Sequence, residues 1–250
     1  IRTKDIFPKK ADDEEVHRGE WLAFTMVSPH DNKTIYHGFQ YLFESKDGGE
    51  SWKRISDDLT YNDKSRMGKT PYAINHQAIT AIDESPLKKG LLYAGTDDGR
   101  IWMRAADGGA FVSIMKGIPQ HAHASRLVAS SHQENRVYLT LSNRREDDDK
   151  PYIYVSDEKG MTWRSIAANL PPSPVNVIRE DDKNPARLYC GTDMGIYYSN
   201  NGGKSWISLQ ANLPATVSVQ DLFIHPRERN LVIATYGRGV YALDDLGALK

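Results

Sequence analysis

Ser199-Asn200-Asn201-Gly202-Gly203-Lys204-Ser205-Trp206 decides how this chain folds, because the same turn is written twice more along it. Ser45-Lys46-Asp47-Gly48-Gly49-Glu50-Ser51-Trp52 and Ser156-Asp157-Glu158-Lys159-Gly160-Met161-Thr162-Trp163 repeat its pattern. A degraded copy, Ala106-Asp107-Gly108-Gly109-Ala110-Phe111, falls between those two, with Phe111 as its aromatic and a spacing that reads one residue short. Glycine reaches positive φ without steric cost, and Asp or Ser side chains close a hairpin by bonding its backbone. The tryptophan then opens an outer strand and packs between repeats, and burying it stabilises by about 1.5–3 kcal/mol. A carboxylate or amide recurring in such hairpins reads as scaffold rather than as metal ligand or catalyst.

Outward from each turn the chain stays periodic. Trp52, Phe111, Trp163 and Trp206 are 59, 52 and 43 residues apart, near the 40–50 residues of a propeller blade. Ahead of the turns lie apolar strands ending on an aromatic: Ile35-Tyr36, Leu92-Tyr93, Val137-Tyr138 and Leu188-Tyr189. Ahead of those lie Met26-Val27, Ala81-Ile82, Val128-Ala129 and Val177-Ile178. A fifth copy starts at Leu222-Phe223-Ile224 and stops after Val240-Tyr241-Ala242-Leu243. The expectation is an all-β β-propeller built of four-stranded antiparallel blades, four complete and a partial fifth. Residues 21–250 carry the blades, as one domain or part of a larger propeller, and residues 1–20 form an N-terminal extension. The polar, unpatterned opening from Ile1 favours a piece of a longer chain whose further blades lie elsewhere.

Composition narrows the function classes. The 250 residues hold 32 basic and 33 acidic side chains, so no single sign of charge predominates as a nucleic-acid or polybasic membrane surface requires. No apolar stretch approaches the roughly 18 residues of a membrane span. Cys190 is alone, in an apolar strand pattern, and reads as a buried thiol. No motif calls for a cofactor or metal.

The three Trp-closed turns resemble those of the Asp-box or BNR-repeat propellers, which include sialidases, inverting xyloglucanases and sortilin-type receptors. The closer likeness is to large sortilin-like or BNR-repeat glycosyl hydrolase proteins, frequent in secreted bacterial sets. It rests on Val27-Ser28-Pro29-His30-Asp31, Tyr93-Ala94-Gly95-Thr96-Asp97-Asp98-Gly99, Val177-Ile178-Arg179-Glu180-Asp181 and Ala234-Thr235-Tyr236-Gly237-Arg238-Gly239. The resemblance implies a secreted or periplasmic protein that binds or hydrolyses carbohydrate, or a non-catalytic peptide-binding scaffold of sortilin type. The arginine triad and Arg-Ile-Pro segment of sialidases are not recognisable, which removes most of the weight from that activity.

Strand direction alternates within a blade. With strands A to D, the A–B and C–D turns share one rim, while the B–C turns and D-to-A connections share the other. The second rim carries the irregular segments 60–77, 117–125, 143–151 and 170–174, the places where binding usually sits on a rigid scaffold. Its B–C turns direct Asp97, Asp98, Asp193, Tyr236 and Arg238 toward the centre. Asp97 and Asp193 resemble the Thr-Asp segment that holds a catalytic aspartate in xyloglucanases, and an acid–base pair is what glycoside hydrolysis needs. The competing reading is that Gly-Thr-Asp-x-Gly is a good hairpin. Asp98, Tyr236, Arg238 and His76 are the binding candidates. Tyr61, Tyr72 and Trp102 are aromatics to stack on sugar rings, Trp102 with the alternative of packing inside its strand. His121-x-His123 is a metal pattern without a carboxylate partner. The partner expected is a glycan or peptide.

Overall fold

The computed structural model describes residues 4–10, 15–19, 23–67, 77–210 and 212–249. It divides into two compact units, Ile1–Ala124 and Ser125–Lys250. The first holds blade one, β1 (Thr25–Ser28), β2 (Asp31–Gly38), β3 (Leu42–Ser45) and β4 (Lys53–Arg54), and blade two, β5 (Ile79–Glu84), β6 (Leu92–Thr96), β7 (Ile101–Arg104) and β8 (Val112–Ser113). The second holds blade three, β9 (His123–Ala129), β10 (Val137–Asn143), β11 (Asp148–Ser156) and β12 (Arg164–Ser165), with the opening residues of β9 falling before the division. Blade four follows as β13 (Val175–Glu180), β14 (Leu188–Thr192), β15 (Gly195–Ser199) and β16 (Ile207–Ser208). Blade five has three strands, β17 (Val219–Ile224), β18 (Leu231–Thr235) and β19 (Val240–Leu243). Within each blade, strands adjacent in sequence lie side by side in an antiparallel sheet, so the chain is the all-β propeller of four full blades and a partial fifth that its repeats predict. Helical structure among the described residues is limited to two 3-10 turns, Arg144–Glu146 and Leu246–Ala248.

Second strands such as Leu92–Thr96 and Leu188–Thr192 are buried along their whole length, whereas blade five leaves residues of β17 and β19 in solvent, Phe223 and Val240 among them. Outer strands are two exposed residues each. In the first unit, Tyr36, Leu42 and Leu59 of blade one interdigitate with Ile79, Ile82 and Leu92 of blade two. In the second, one cluster joins blades three and four around Tyr138, Ile178 and Trp206, and another joins four and five around Tyr189, Val219 and Leu222. Blades four and five approach so closely that a Cβ on Gly191 would meet the Val219 side chain at 2.5 Å, while Val177 of its own sheet would crowd it at 2.8 Å.

The repeated turns hold by local hydrogen bonds. The serine hydroxyl accepts the glycine N–H four residues on, at 2.8 Å in Ser45–Gly49 and 2.9 Å in both Ser156–Gly160 and Ser199–Gly203. Asp47 accepts the Ser51 N–H at 2.9 Å and its hydroxyl at 2.5 Å, and Asn201 accepts the Ser205 N–H at 3.0 Å. The degraded copy is not short. Strand pairing sets Arg104 opposite Leu92 as it sets Ser199 opposite Leu188, and Val112 opposite Met103 as Ile207 opposite Tyr198. Arg104 therefore holds the serine position and Phe111 that of Trp206, with seven residue steps between them in both turns. Spacing counted from Asp107 misaligned a turn whose Ser and Asp have been replaced by Arg104 and Ala106.

Residues 4–10 and 15–19 contain no strand and pack on blade one. Ile6 lies against Gly49 and accepts the Trp52 indole N–H at 2.6 Å. Farther along, the Arg18 N–H reaches the Gln40 side chain at 2.7 Å, and its guanidinium pairs with Asp58 at 2.6 Å. The expected 143–151 loop is shorter than read: β10 and β11 extend to Asn143 and from Asp148, leaving the 3-10 turn and Asp147, at φ 54°, to reverse the chain.

Candidate functional site

The β6–β7 turn of the first unit carries Asp97 and Asp98. Asp97 is 2% exposed; its carboxylate accepts the Ala78 N–H at 2.8 Å, and its own N–H returns to the Ala78 carbonyl at 3.0 Å. Asp98 is 3% exposed and accepts the Tyr61 N–H at 2.7 Å and the Thr96 hydroxyl. Burial pushes its carboxyl above the usual range, against the pull of those hydrogen bonds and the nearby Arg100 charge. Both aspartates thereby tie the connection before β5 to the turn after β6.

What they position is exposed. The Asp98 contact fixes the Tyr61 backbone, and the Tyr61 ring, 37% exposed, lies 4.7 Å from the His121 ring at 35°. Arg100 covers Tyr61 at 5.1 Å and Trp102 at 4.2 Å, donating to the Thr60 carbonyl at 3.2 Å. Gly99, at φ 95°, is what lets the His121 backbone close in, since a Cβ there would stand 2.6 Å from its Cα. The result is a shelf of two ring faces and a guanidinium on the B–C rim, a surface suited to stacking a flat or hydroxyl-bearing ring.

In the second unit Asp193, on the β14–β15 turn, joins three blades. It accepts from Arg144 of blade three at 2.9 Å, from Asn176 of its own blade at 2.9 Å, and from Ser218 beside blade five at 2.8 Å. The Asp193 side chain is 19% exposed and that of Arg144 66%. Tyr236 is 78% exposed, anchored by its N–H to the Ser218 carbonyl at 2.9 Å, and Arg238 lies exposed in the same β18–β19 turn. His76 and Tyr72 lie outside the described residues. Trp102 sits on β7, with its indole N–H on the Leu59 carbonyl at 2.7 Å. Among the described residues no group of three His, Cys, Asp or Glu side chains is placed to hold a metal ion, and no helix is long and apolar enough to cross a membrane.

Sequence reading placed Arg144 only within the irregular 143–151 segment and missed it as the partner of Asp193, as it missed Arg100 and His121 as partners of Tyr61. The alternation of Tyr61, Arg100 and His121 across three distant segments leaves no local signal.

Neither a protein-family model nor a curated protein matches the sequence. Many solved structures resemble it in fold. The GH74 xyloglucanase from Xanthomonas campestris superposes with a TM-score of 0.71 at 18% identity, over 89% of this chain and 36% of that one. A GH74 enzyme from Niastella koreensis gives 0.66 at 18% identity, over 90% and 36%. YCF48, solved with a D1 peptide bound, gives 0.59 at 13% identity, over 88% and 63%. The chain spans about a third of the length of the GH74 enzymes it matches. At these identities the likeness establishes a propeller fold, shared by glycoside hydrolases and by a propeller solved with a bound peptide.

Proposed function

We propose that this chain is a carbohydrate-binding propeller of a secreted, glycosyl hydrolase-like protein that recognises its ligand on the B–C rim without itself cleaving it. The observation that carries this reading is the Tyr61–His121 shelf beneath Arg100, the exposed ring surface that a sugar's apolar face covers while its hydroxyls meet a guanidinium. In the other unit, the Asp193–Arg144 pair with Tyr236 and Arg238 offers the same chemistry: a charged hydrogen-bonding centre beside an exposed ring. Binding is favoured over turnover because Asp97 is enclosed and committed to Ala78, and Asp193 already accepts from three neighbours. A general acid or base must reach its proton within hydrogen-bond distance of the substrate.

Calorimetric titration with a panel of neutral and acidic oligosaccharides tests this. Tyr61→Ala and Arg238→Ala are expected to weaken binding by tenfold or more with the melting temperature preserved. Retained affinity in both variants would overturn the site. Appearance of reducing ends would overturn the non-catalytic reading, and binding confined to peptides would turn it to the sortilin-like scaffold.

A further inference from the structure

Between blades one and two a cleft of about 460 Å³ opens on the outer side of the first unit, lined by Ile55, Leu59, Trp102, Arg104 and Phe111 among others. It lies where the second unit has none of its clasp missing. There, between blades three and four, Trp206 fills the equivalent space: it is 4% exposed, its indole N–H donates to the Ile166 carbonyl at 2.7 Å, and Asn169 bonds its backbone N–H at 2.8 Å and its carbonyl at 2.9 Å. Strand register makes Phe111 the counterpart of Trp206, Ile55 that of Ile166, and Asp58 that of Asn169.

Each part of that clasp is undone in the first unit. Phe111 has no ring N–H to give. Asp58 is turned to Arg18 and Thr60 instead. The Ile55 carbonyl and the Phe111 N–H make no hydrogen bond with the protein among the described residues. Two backbone groups that the fold normally satisfies thus border a cleft in which Ile55, Leu59, Trp102 and Phe111 stand among charged side chains such as Lys53, Asp57 and Arg104, and its volume falls in the range of ligand sites, about 300–1,000 Å³.

We infer that this cleft is a receptor site for an indole ring, supplied by a tryptophan side chain on an extended segment of a partner protein. The molecule itself fills such a space with an indole in its other clasps, each against an isoleucine carbonyl: Trp206 on Ile166, and Trp52 on Ile6. The guest's ring N–H meets the Ile55 carbonyl, its faces rest on Phe111 and Leu59, and a backbone carbonyl beside it accepts the Phe111 N–H. This site is distinct from the Tyr61–His121 shelf, although Trp102, which Arg100 covers, borders both.

N-acetyltryptophanamide is the probe, read by the methyl resonances of Ile55 and Leu59. Saturable shifts are expected with the unaltered chain, and at least fivefold weaker ones with N-acetylphenylalaninamide, which lacks the ring donor. Phe111→Trp fills the cleft from within; it is expected to raise the melting temperature and abolish the shifts, whereas Phe111→Leu enlarges the cleft and keeps them. Unmoved methyls in the unaltered chain, equal shifts with both probes, or undiminished binding in Phe111→Trp would each overturn the proposal.

Discussion

The carbonyl of Ile6 accepts the indole N–H of Trp52 at 2.6 Å, in the way the carbonyl of Ile166 accepts that of Trp206 at 2.7 Å. The correspondence extends to the turn glycines: a Cβ on Gly49 would strike the Ile6 side chain at 2.9 Å, and one on Gly203 the Ile166 side chain at 2.8 Å. Ile6 therefore stands to blade one as the residue just after an outer strand stands to the blade that follows it. The tryptophan is a fastener between successive elements as much as a core side chain.

Removing the donor measures the fastener. Trp206→Phe leaves the Ile166 carbonyl without its partner inside a buried cluster, so a loss of about 1–3 kcal/mol is expected. Trp52 is only half-buried, and water can replace it at Ile6, so Trp52→Phe is expected to cost less, about 0.5–1.5 kcal/mol. Denaturant titration of both variants checks the order; an equal or larger loss at Trp52 would contradict it.

The first turn should also leave a mark on acid stability. Hydrogen bonds from the Ser51 hydroxyl and N–H, and then from Ser45, hold the Asp47 carboxyl down at about 2. Protonation is easier in the unfolded chain, whose aspartate titrates near 3.9, so this contribution is complete above about pH 4 and is lost as pH falls toward 2. Asp47→Asn is expected to be tolerated, since Asn201 closes its own turn by the same N–H contact. Asp47→Ala is expected to lower the melting temperature by a few degrees at pH 7, with the gap from the unaltered chain closing near pH 2. A gap that persists at pH 2 would assign the effect to something other than the carboxylate.

The fold was legible because its signal is local and repeated: turn glycines, a closing serine and a tryptophan recur at blade spacing. The candidate site was legible only in part. Thr96-Asp97-Asp98-Gly99 and Thr192-Asp193-Met194-Gly195 look alike as strings, yet the first turn folds its carboxylates inward onto Ala78 and Tyr61, while the second accepts an arginine from the preceding blade. That difference depends on which distant segments the sheets bring alongside, and no spacing records it. The vacant clasp at Phe111 escaped for the opposite reason. With its Ser and Asp replaced, the turn could be aligned only by strand register.

Cys190 offers a direct probe of the blade interior. It is fully buried on β14 between blade faces, and burial pushes its thiol well above the ordinary value. The thiolate is the reactive form, so a disulfide reagent at pH 8 is expected to leave it unmodified in the folded chain and to modify it at the unfolding rate once denaturant is added. Rapid labelling without denaturant would mean that blades three and four separate in solution.

Glu180 should prove a sensitive carboxylate of the second unit. It ends β13 at 9% exposure and pairs with no cation among the described residues; instead four donors converge on it. The Ser130 hydroxyl lies at 2.9 Å, the Ser131 N–H at 2.8 Å and its hydroxyl at 3.2 Å, and the Tyr138 hydroxyl at 3.0 Å. All of them come from blade three, so one side chain of blade four gathers the A–B turn and second strand of its neighbour. A carboxylate has lone pairs for four donors, whereas an amide turns one of its two heavy atoms into a donor facing other donors. Glu180→Gln is therefore expected to destabilise by about 1–3 kcal/mol although it conserves shape, and Glu180→Ala by at least as much, because the buried hydroxyls then lose their acceptor altogether. Combining Glu180→Gln with Tyr138→Phe removes one of the stranded donors, so the double variant should recover part of the loss. Strict additivity of the two substitutions in a double-mutant cycle would show that Tyr138 and Glu180 do not depend on each other.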